Sequence, residues 1–320
     1  MPSFLTHYLL GENAVNSIDT KLKEIIKDHY YSFSVGTNGP DLFFFNNCLP
    51  WYDLKQNKIV AEYGSINHKY KINDFFKSLI ESAKEKNNQA FVAGYLCHWA
   101  MDKTCHPYIF YKTDGSKLSL PYHKEIESTL DYLVLKELKK ITVKKQKPYE
   151  LIKYDTESIK SIYNTLVEPL KKVYQFDLTY KDIEDCCKHI YNAEKILYDP
   201  YGIKKKYLRL IEKYILHKPY EYSSMMIPYN YQDDLDIFNS SKSTWHHPVT
   251  NQAHNESFME LYDISLKTAI EILNLYDSYL NHKIPINDLL NYINNQNFEN
   301  GMSEDFIENK YNNCIYEKEA

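Results

Sequence analysis

The chain has 320 residues, 43% of them hydrophobic, and a formal net charge of −5. That length supports one large domain or two ordinary ones, and an acidic balance lacks the basic face or stripe of a nucleic-acid footprint. Eight glycines against 31 tyrosines, with abundant Lys, Glu, Ile and Leu, favour helices over a turn-rich β fold.

Residues 1–15 lack a basic n-region, and their apolar run is too short for a secretory leader. No segment approaches the ~20 apolar residues of a membrane span, so no transmembrane segment is expected. The chain as written reads as cytoplasmic, or as extracellular if a leader has been removed. Residues 7–27 read as one helix, with Leu9, Val15, Ile18, Leu22 and Ile25–Ile26 at helical spacing. Residues 34–41 hold two glycines and a proline and read as a loop. Residues 71–86 form an amphipathic helix through Ile72, Phe75, Phe76, Leu79 and Ile80. Residues 88–105 are the most apolar long stretch and suit a buried central helix, interrupted at Pro107 and at Asp114–Gly115. Further helices are expected over 122–142, 156–173, 180–197, 203–217 and 254–280, with an irregular connection over 219–252. The expected fold is all-α, a single multi-helix domain over residues 1–295 followed by a polar C-terminal tail over 296–320.

Six cysteines, Cys48, Cys97, Cys105, Cys186, Cys187 and Cys314, match neither a disulfide framework nor a CxxC zinc knuckle and read as free thiols. Cys105 is close enough to the motif below to offer an alternative thiolate ligand.

The strongest signal is His98-Trp-Ala-Met-Asp102-Lys-Thr-Cys-His106-Pro107. Positions i, i+4 and i+8 share one stripe of a helix. A carboxylate buried beside two imidazoles is destabilising unless something pairs with it, and a divalent cation bound by imidazole and carboxylate suits zinc. His123-Lys-Glu-Ile-Glu127 repeats the i, i+4 device as His then Glu, so it is not the HExxH of zincins. One such pair is ordinary on a helix surface; two in succession are not. Asp41 after Gly39-Pro40, His68 in SINHKY and His7 in FLTHYLL complete the set.

This order of residues, His7, Asp41, His68, His98-x3-Asp102, His106 and His123-x3-Glu127, resembles the bacterial zinc-dependent phospholipase C family, whose fold is shared with single-strand-specific, zinc-dependent nucleases. The resemblance covers residues 1–135 strongly and the remainder weakly. It implies an all-α fold and a multinuclear site of two to three zinc ions. His106, His123 and Glu127 would hold one ion. Asp41, His68, His98 and Asp102 would hold a second, and Asp102 would bridge to a third that His7 also binds. In the family the mature N-terminal amine and carbonyl complete that third site; here Met1-Pro2 offers a Pro2 amine.

Such a centre polarises a phosphodiester and supplies hydroxide near neutral pH. For a phospholipid the products would be diacylglycerol and a phosphorylated head group, with transient contact at a membrane surface. Asp41 is the candidate to orient or deprotonate the attacking water, or else a plain ligand. Trp51, Tyr52, Phe43 to Phe45 and Tyr63 could form an aromatic wall that cages choline or stacks a base, or could simply pack the core. Trp245-His246-His247 and His254 form a second histidine concentration, with a supporting or a packing role. The competing functions are a nuclease or phosphomonoesterase on the same scaffold, and a metal- or lipid-binding protein without turnover.

Overall fold

The computed structural model describes residues 4–49, 51–52, 54–113, 120–304, 306 and 308–315. It is 65% helical, and among the described residues the β structure is one antiparallel pairing of Trp245–His246 with Ala253–His254, so the all-α expectation holds. The helices are α1 (Phe4–Ser17), α2 (Lys21–Asp28), α3 (Tyr30–Gly36), α4 (Leu54–Asn67), α5 (Ile72–Ser82), α6 (Lys86–Thr113), α7 (Leu120–Lys139), α8 (Thr156–Tyr174), α9 (Tyr180–Leu197), α10 (Ile203–Ile211), α11 (Phe258–Leu280) and α12 (Ile286–Ile293).

α6 is the axis of the molecule. It is buried on nearly every side and packs against α1, α2, α3, α7, α8 and α11, as a helix apolar all round must. Its backbone comes close to that of α3. A Cβ on Gly94 would lie 2.3 Å from the Phe33 carbonyl oxygen, and one on Gly36 would lie 2.2 Å from that of Phe91. Only glycine permits two backbones to approach so closely. Capping boxes fix where the later helices begin: Asp155 with Ser158 for α8, Thr179 with Asp182 for α9, and Ser257 with Glu260 for α11. Each satisfies two otherwise unpaired groups at the helix entry.

The expected single helix over 7–27 is two. The segment Asn16-Ser17-Ile18-Asp19-Thr20 is rich in side chains that compete for backbone hydrogen bonds, and Ser17 Oγ donates to the Asn13 carbonyl. α2 then restarts with the Leu22 amide donating to Asp277 of α11 at 3.0 Å. The expected loop over 34–41 starts later, because α3 runs to Gly36 and a 3-10 turn, Gly39–Phe45, follows. α4 and α12 stand outside the expected helices, although α12 carries helical spacing in Ile286, Leu289, Leu290 and Ile293. α10 continues as a π turn over Glu212–Leu216.

Pro107 does not interrupt α6, which runs through it to Thr113. A helical proline leaves the carbonyl four residues back without its amide partner. That carbonyl, on Lys103, faces the glycine of a tight turn: a Cβ on Gly301 would lie 2.6 Å from it. Asp114–Gly115 lies outside the described residues. The turn around Gly301 also shows that the polar segment after residue 295 begins packed: Asn297, Phe298 and Asn300 are buried.

α1 is oriented from outside itself. Asp131 on α7 accepts from the amides of Leu5 (3.3 Å) and Thr6 (2.7 Å) and from the Thr6 hydroxyl (2.6 Å). An acceptor at a helix start satisfies donors that have no partner within the helix. Asp131→Ala is expected to lower stability by about 1–2 kcal/mol, read as a reduced urea midpoint; an unchanged midpoint would contradict this role for Asp131.

Candidate metal centre

Eight side chains that the sequence singles out meet in one buried cluster. His98, Asp102 and His106 project from successive turns of α6, as their spacing requires. His123 and Glu127 face them from α7, His7 from α1, Asp41 from the 3-10 turn, and His68 from the link after α4. All eight are buried.

Asp102 is the hub. Its Oδ1 lies 3.1 Å from His7 Nε2 and 3.5 Å from His106 Nε2; its Oδ2 lies 2.8 Å from His98 Nε2 and 3.9 Å from His68 Nε2. Asp41 spans two imidazoles, with Oδ1 3.1 Å from His68 Nε2 and Oδ2 3.3 Å from His98 Nε2. Glu127 Oε1 lies 3.0 Å from His123 Nε2 and 3.4 Å from His106 Nε2. Two subsets bring their ligand atoms within 4.8 Å of one another and could each hold a cation: His7, Asp41, His98 and Asp102, and His106, His123 and Glu127. His68 adjoins the first through Asp41.

The far nitrogen of three imidazoles fixes which face looks inward. His98 Nδ1 meets the Thr37 carbonyl at 3.0 Å, His68 Nδ1 that of Gly64 at 2.7 Å, and His106 Nδ1 that of Phe298 at 2.9 Å. A carbonyl only accepts, so each Nδ1 carries the proton and, in the neutral ring, each Nε2 turns a lone pair towards the carboxylates. Two such acceptors at 3 Å repel unless a cation or a proton lies between them. Accordingly His98 Nε2, Asp41 Oδ2, Asp102 Oδ2 and Glu127 Oε2 are buried with no hydrogen-bond partner. Ligand atoms around a tetrahedral zinc with bonds of about 2.0–2.1 Å lie roughly 3.3 Å apart, and the separations above bracket that value. The donor set fits zinc.

The buried charges of the cluster act strongly on one another. Burial works to raise the Asp102 carboxyl, but the imidazoles of His106, His98 and His7 hold it well below the usual carboxylate range. Glu127 is lowered against its burial by His123 and His106. Burial works to lower His106, yet Asp102 and Glu127 push it up to about 10; His7 and His68 are raised in the same way. His98, the most enclosed, is lowered by burial.

Gly39 secures this geometry. It has φ +49°, and a Cβ there would lie 2.3 Å from His98 Cδ2. Both constraints exclude a side chain, and Pro40 then pre-sets the turn that brings Asp41 inward.

Of the aromatic candidates only Phe44 contacts the cluster, stacked on His68 with ring centres 5.6 Å apart. Phe43 and Phe45 are core residues, Trp51 is 62% exposed, Tyr52 packs on His189 and Tyr63 on Phe176. The aromatic wall is instead completed by Phe110, 5.6 Å from His106 and 5.0 Å from His123, and by Phe298, 5.5 Å from His68. Phe298 lies 171 residues beyond Glu127, the last cluster residue in the chain, with no periodic signal around it. The signal for Phe110 was its place one turn beyond His106 on the same helix.

All six cysteines are free. Cys105 points to Ser265 Oγ at 3.5 Å, burial pushes its thiol up to about 12, and it belongs to neither of the two cation-sized groups. Trp245 packs on Tyr108 and His254. His247 meets the Asn300 carbonyl at 3.0 Å, which braces the turn that carries Phe298. The Pro2 amine lies outside the described residues.

Comparison with curated proteins and with solved structures gave no match. The family model for zinc dependent phospholipase C matches residues 6–196, a span that contains all eight cluster residues. The family's cofactor is zinc and its reaction the hydrolysis of phosphoric ester bonds, for which a buried centre of imidazoles and carboxylates in two cation-sized groups is the required apparatus. The chain belongs to the zinc-dependent phospholipase C family.

Proposed function

We propose that the chain cleaves the phosphodiester of a phospholipid on its glycerol side, releasing diacylglycerol and a phosphorylated head group. One observation carries this reading: His98 Nε2, Asp41 Oδ2, Asp102 Oδ2 and Glu127 Oε2 are buried in one cluster without hydrogen-bond partners. We assign His106, His123 and Glu127 to one zinc ion, and Asp41, His68, His98 and Asp102 to a second. Asp102 and His7 offer two ligands to a third.

Zinc bound there would polarise the phosphoryl oxygens and lower the pKa of a bound water. The residues supply the rest. Three carboxylates oppose the four positive charges of two zinc ions, which leaves a net positive centre for an anionic phosphodiester. Asp41 orients or deprotonates the attacking water, because its carboxylate lies between His68 and His98 and its Oδ2 has no hydrogen-bond partner. Carbonyl contacts from Thr37, Gly64 and Phe298 keep three imidazoles from rotating as charge develops. Phe44 and Phe110 flank the centre with apolar surface that suits a lipid's glycerol and acyl stem and shields the centre from bulk water.

Two measurements test this. Zinc analysis of purified protein should give two to three equivalents, with most lost in His98→Ala, Asp102→Ala and Gly39→Ala; unchanged zinc in all three would contradict the assignment. The protein should release diacylglycerol from short-chain phosphatidylcholine, stop on chelation and recover with zinc, and Asp41→Asn should slow turnover about 10²-fold or more. Cleavage of single-stranded DNA with no lipid hydrolysis would overturn the phospholipase reading in favour of a nuclease.

A further inference from the structure

α10 and its π turn are amphipathic the wrong way round for a helix packed on a core. Their inner face is ionic. Lys205 is buried and donates to Glu125 Oε1 at 3.0 Å and to the Met226 carbonyl at 2.8 Å. Arg209 donates to the same Glu125 oxygen at 2.6 Å. Glu212, fully buried, accepts from the amides of Tyr222 and Ser223 at 2.6 and 2.8 Å. The outer face is apolar: Ile203, Tyr207, Leu210, Ile211, Tyr214 and Ile215 are between 42% and 68% exposed. At helical spacing 203, 207, 210, 211 and 214 share one outward sector.

Scattered exposed apolar residues are normal on a protein surface, whereas a contiguous stripe of this kind marks a contact. Its margins say with what. Lys206, Lys213 and Lys218 are exposed, Lys204 is exposed but donates to the Ile196 and Tyr198 carbonyls, and the one acidic residue between 203 and 218 is the buried Glu212. An apolar stripe with basic margins, on a chain of net charge −5, matches the interior and head-group layer of an anionic bilayer. Lysine stems cover apolar surface while their charges reach outward, and tyrosines favour the interfacial depth. A second copy packed about a two-fold axis would set the same lysines against themselves. No helix among the described residues is long and apolar enough to cross a membrane, so this attachment is peripheral.

We propose that the outer face of α10 and its π turn docks the protein onto an anionic phospholipid surface; this rests on the phospholipase reading above. The face is coupled to the metal centre. Lys205 and Arg209 bind Glu125, which stands on α7 between His123 and Glu127, so the docked element is clamped to a helix that carries part of the centre. Six apolar side chains enter the head-group boundary while the ionic inner face stays fixed to the protein.

Flotation in the cold with phosphatidylcholine vesicles, with and without phosphatidylserine, tests the proposal on zinc-loaded protein. The wild type should float, more strongly with phosphatidylserine. A Tyr207→Ser, Ile211→Ser, Tyr214→Ser variant should lose on the order of tenfold or more in partition, with zinc content and hydrolysis of monomeric short-chain phosphatidylcholine unchanged. Lys206→Glu with Lys213→Glu should abolish the preference for phosphatidylserine. If the triple variant loses zinc, Tyr214→Ser alone, at a residue 66% exposed, should still weaken flotation. A wild type that stays unbound, a triple variant that floats like the wild type, or a dimer that the triple variant splits without loss of lipid binding would each overturn the proposal. Flotation without hydrolysis of the monomeric lipid would support the docking face and count against the phospholipase reading alone.

Discussion

Three carboxylates, Asp41, Asp102 and Glu127, are buried together in a helical interior, and the rest of the structure answers to that constraint. Leaving a carboxylate unpaired in such a place costs several kcal/mol, and three side by side compound the cost. Imidazoles alone are a poor remedy, because those whose tautomer is fixed present lone pairs rather than protons when neutral. Divalent cations meet the charge, the distances and the unpartnered atoms at once. A metal held by these residues would therefore couple binding to folding.

The fold is arranged to hold that apparatus still. α6 supplies three ligands from one stripe, and the glycine contact with α3 brings Thr37 close enough to orient His98. Gly39 yields its side chain to the His98 ring so that Asp41 can turn inward. From the opposite end of the chain, the turn through Phe298 closes over His68 and His106, accepting from one and packing on the other. Asp131 seats the first turn of α1 on α7 and so aims His7 at Asp102. Each contact ties an element distant in sequence to the same few ångströms.

The constellation was legible because its spacing is physical. Residues share a helix face at intervals of three or four; His98, Asp102 and His106 stand at four, and His123 with Glu127 repeats the device. All eight residues converge, including His7, Asp41 and His68, which have no local pattern and were read from their order in the chain. What sequence could not disclose was anything set by tertiary partners. The break between α1 and α2 depends on Asp277 of α11, and the imidazole acceptors are backbone carbonyls of no particular residue type. Phe298 sits in a polar, asparagine-rich stretch that reads as a tail until the Gly301 turn is seen against the Lys103 carbonyl freed by Pro107. α10 misled in another way: its periodicity marks a helix correctly, but periodicity is silent about which side faces out.

The central claim is that cations occupy the space among these eight side chains. Anomalous diffraction at the zinc edge from crystals of the purified protein examines it directly. The account predicts at least two peaks, one bounded by His106, His123 and Glu127 and the other beside Asp41, His98 and Asp102. A zinc-replete crystal with no peak in that space, or with its zinc bound elsewhere on the chain, would contradict it.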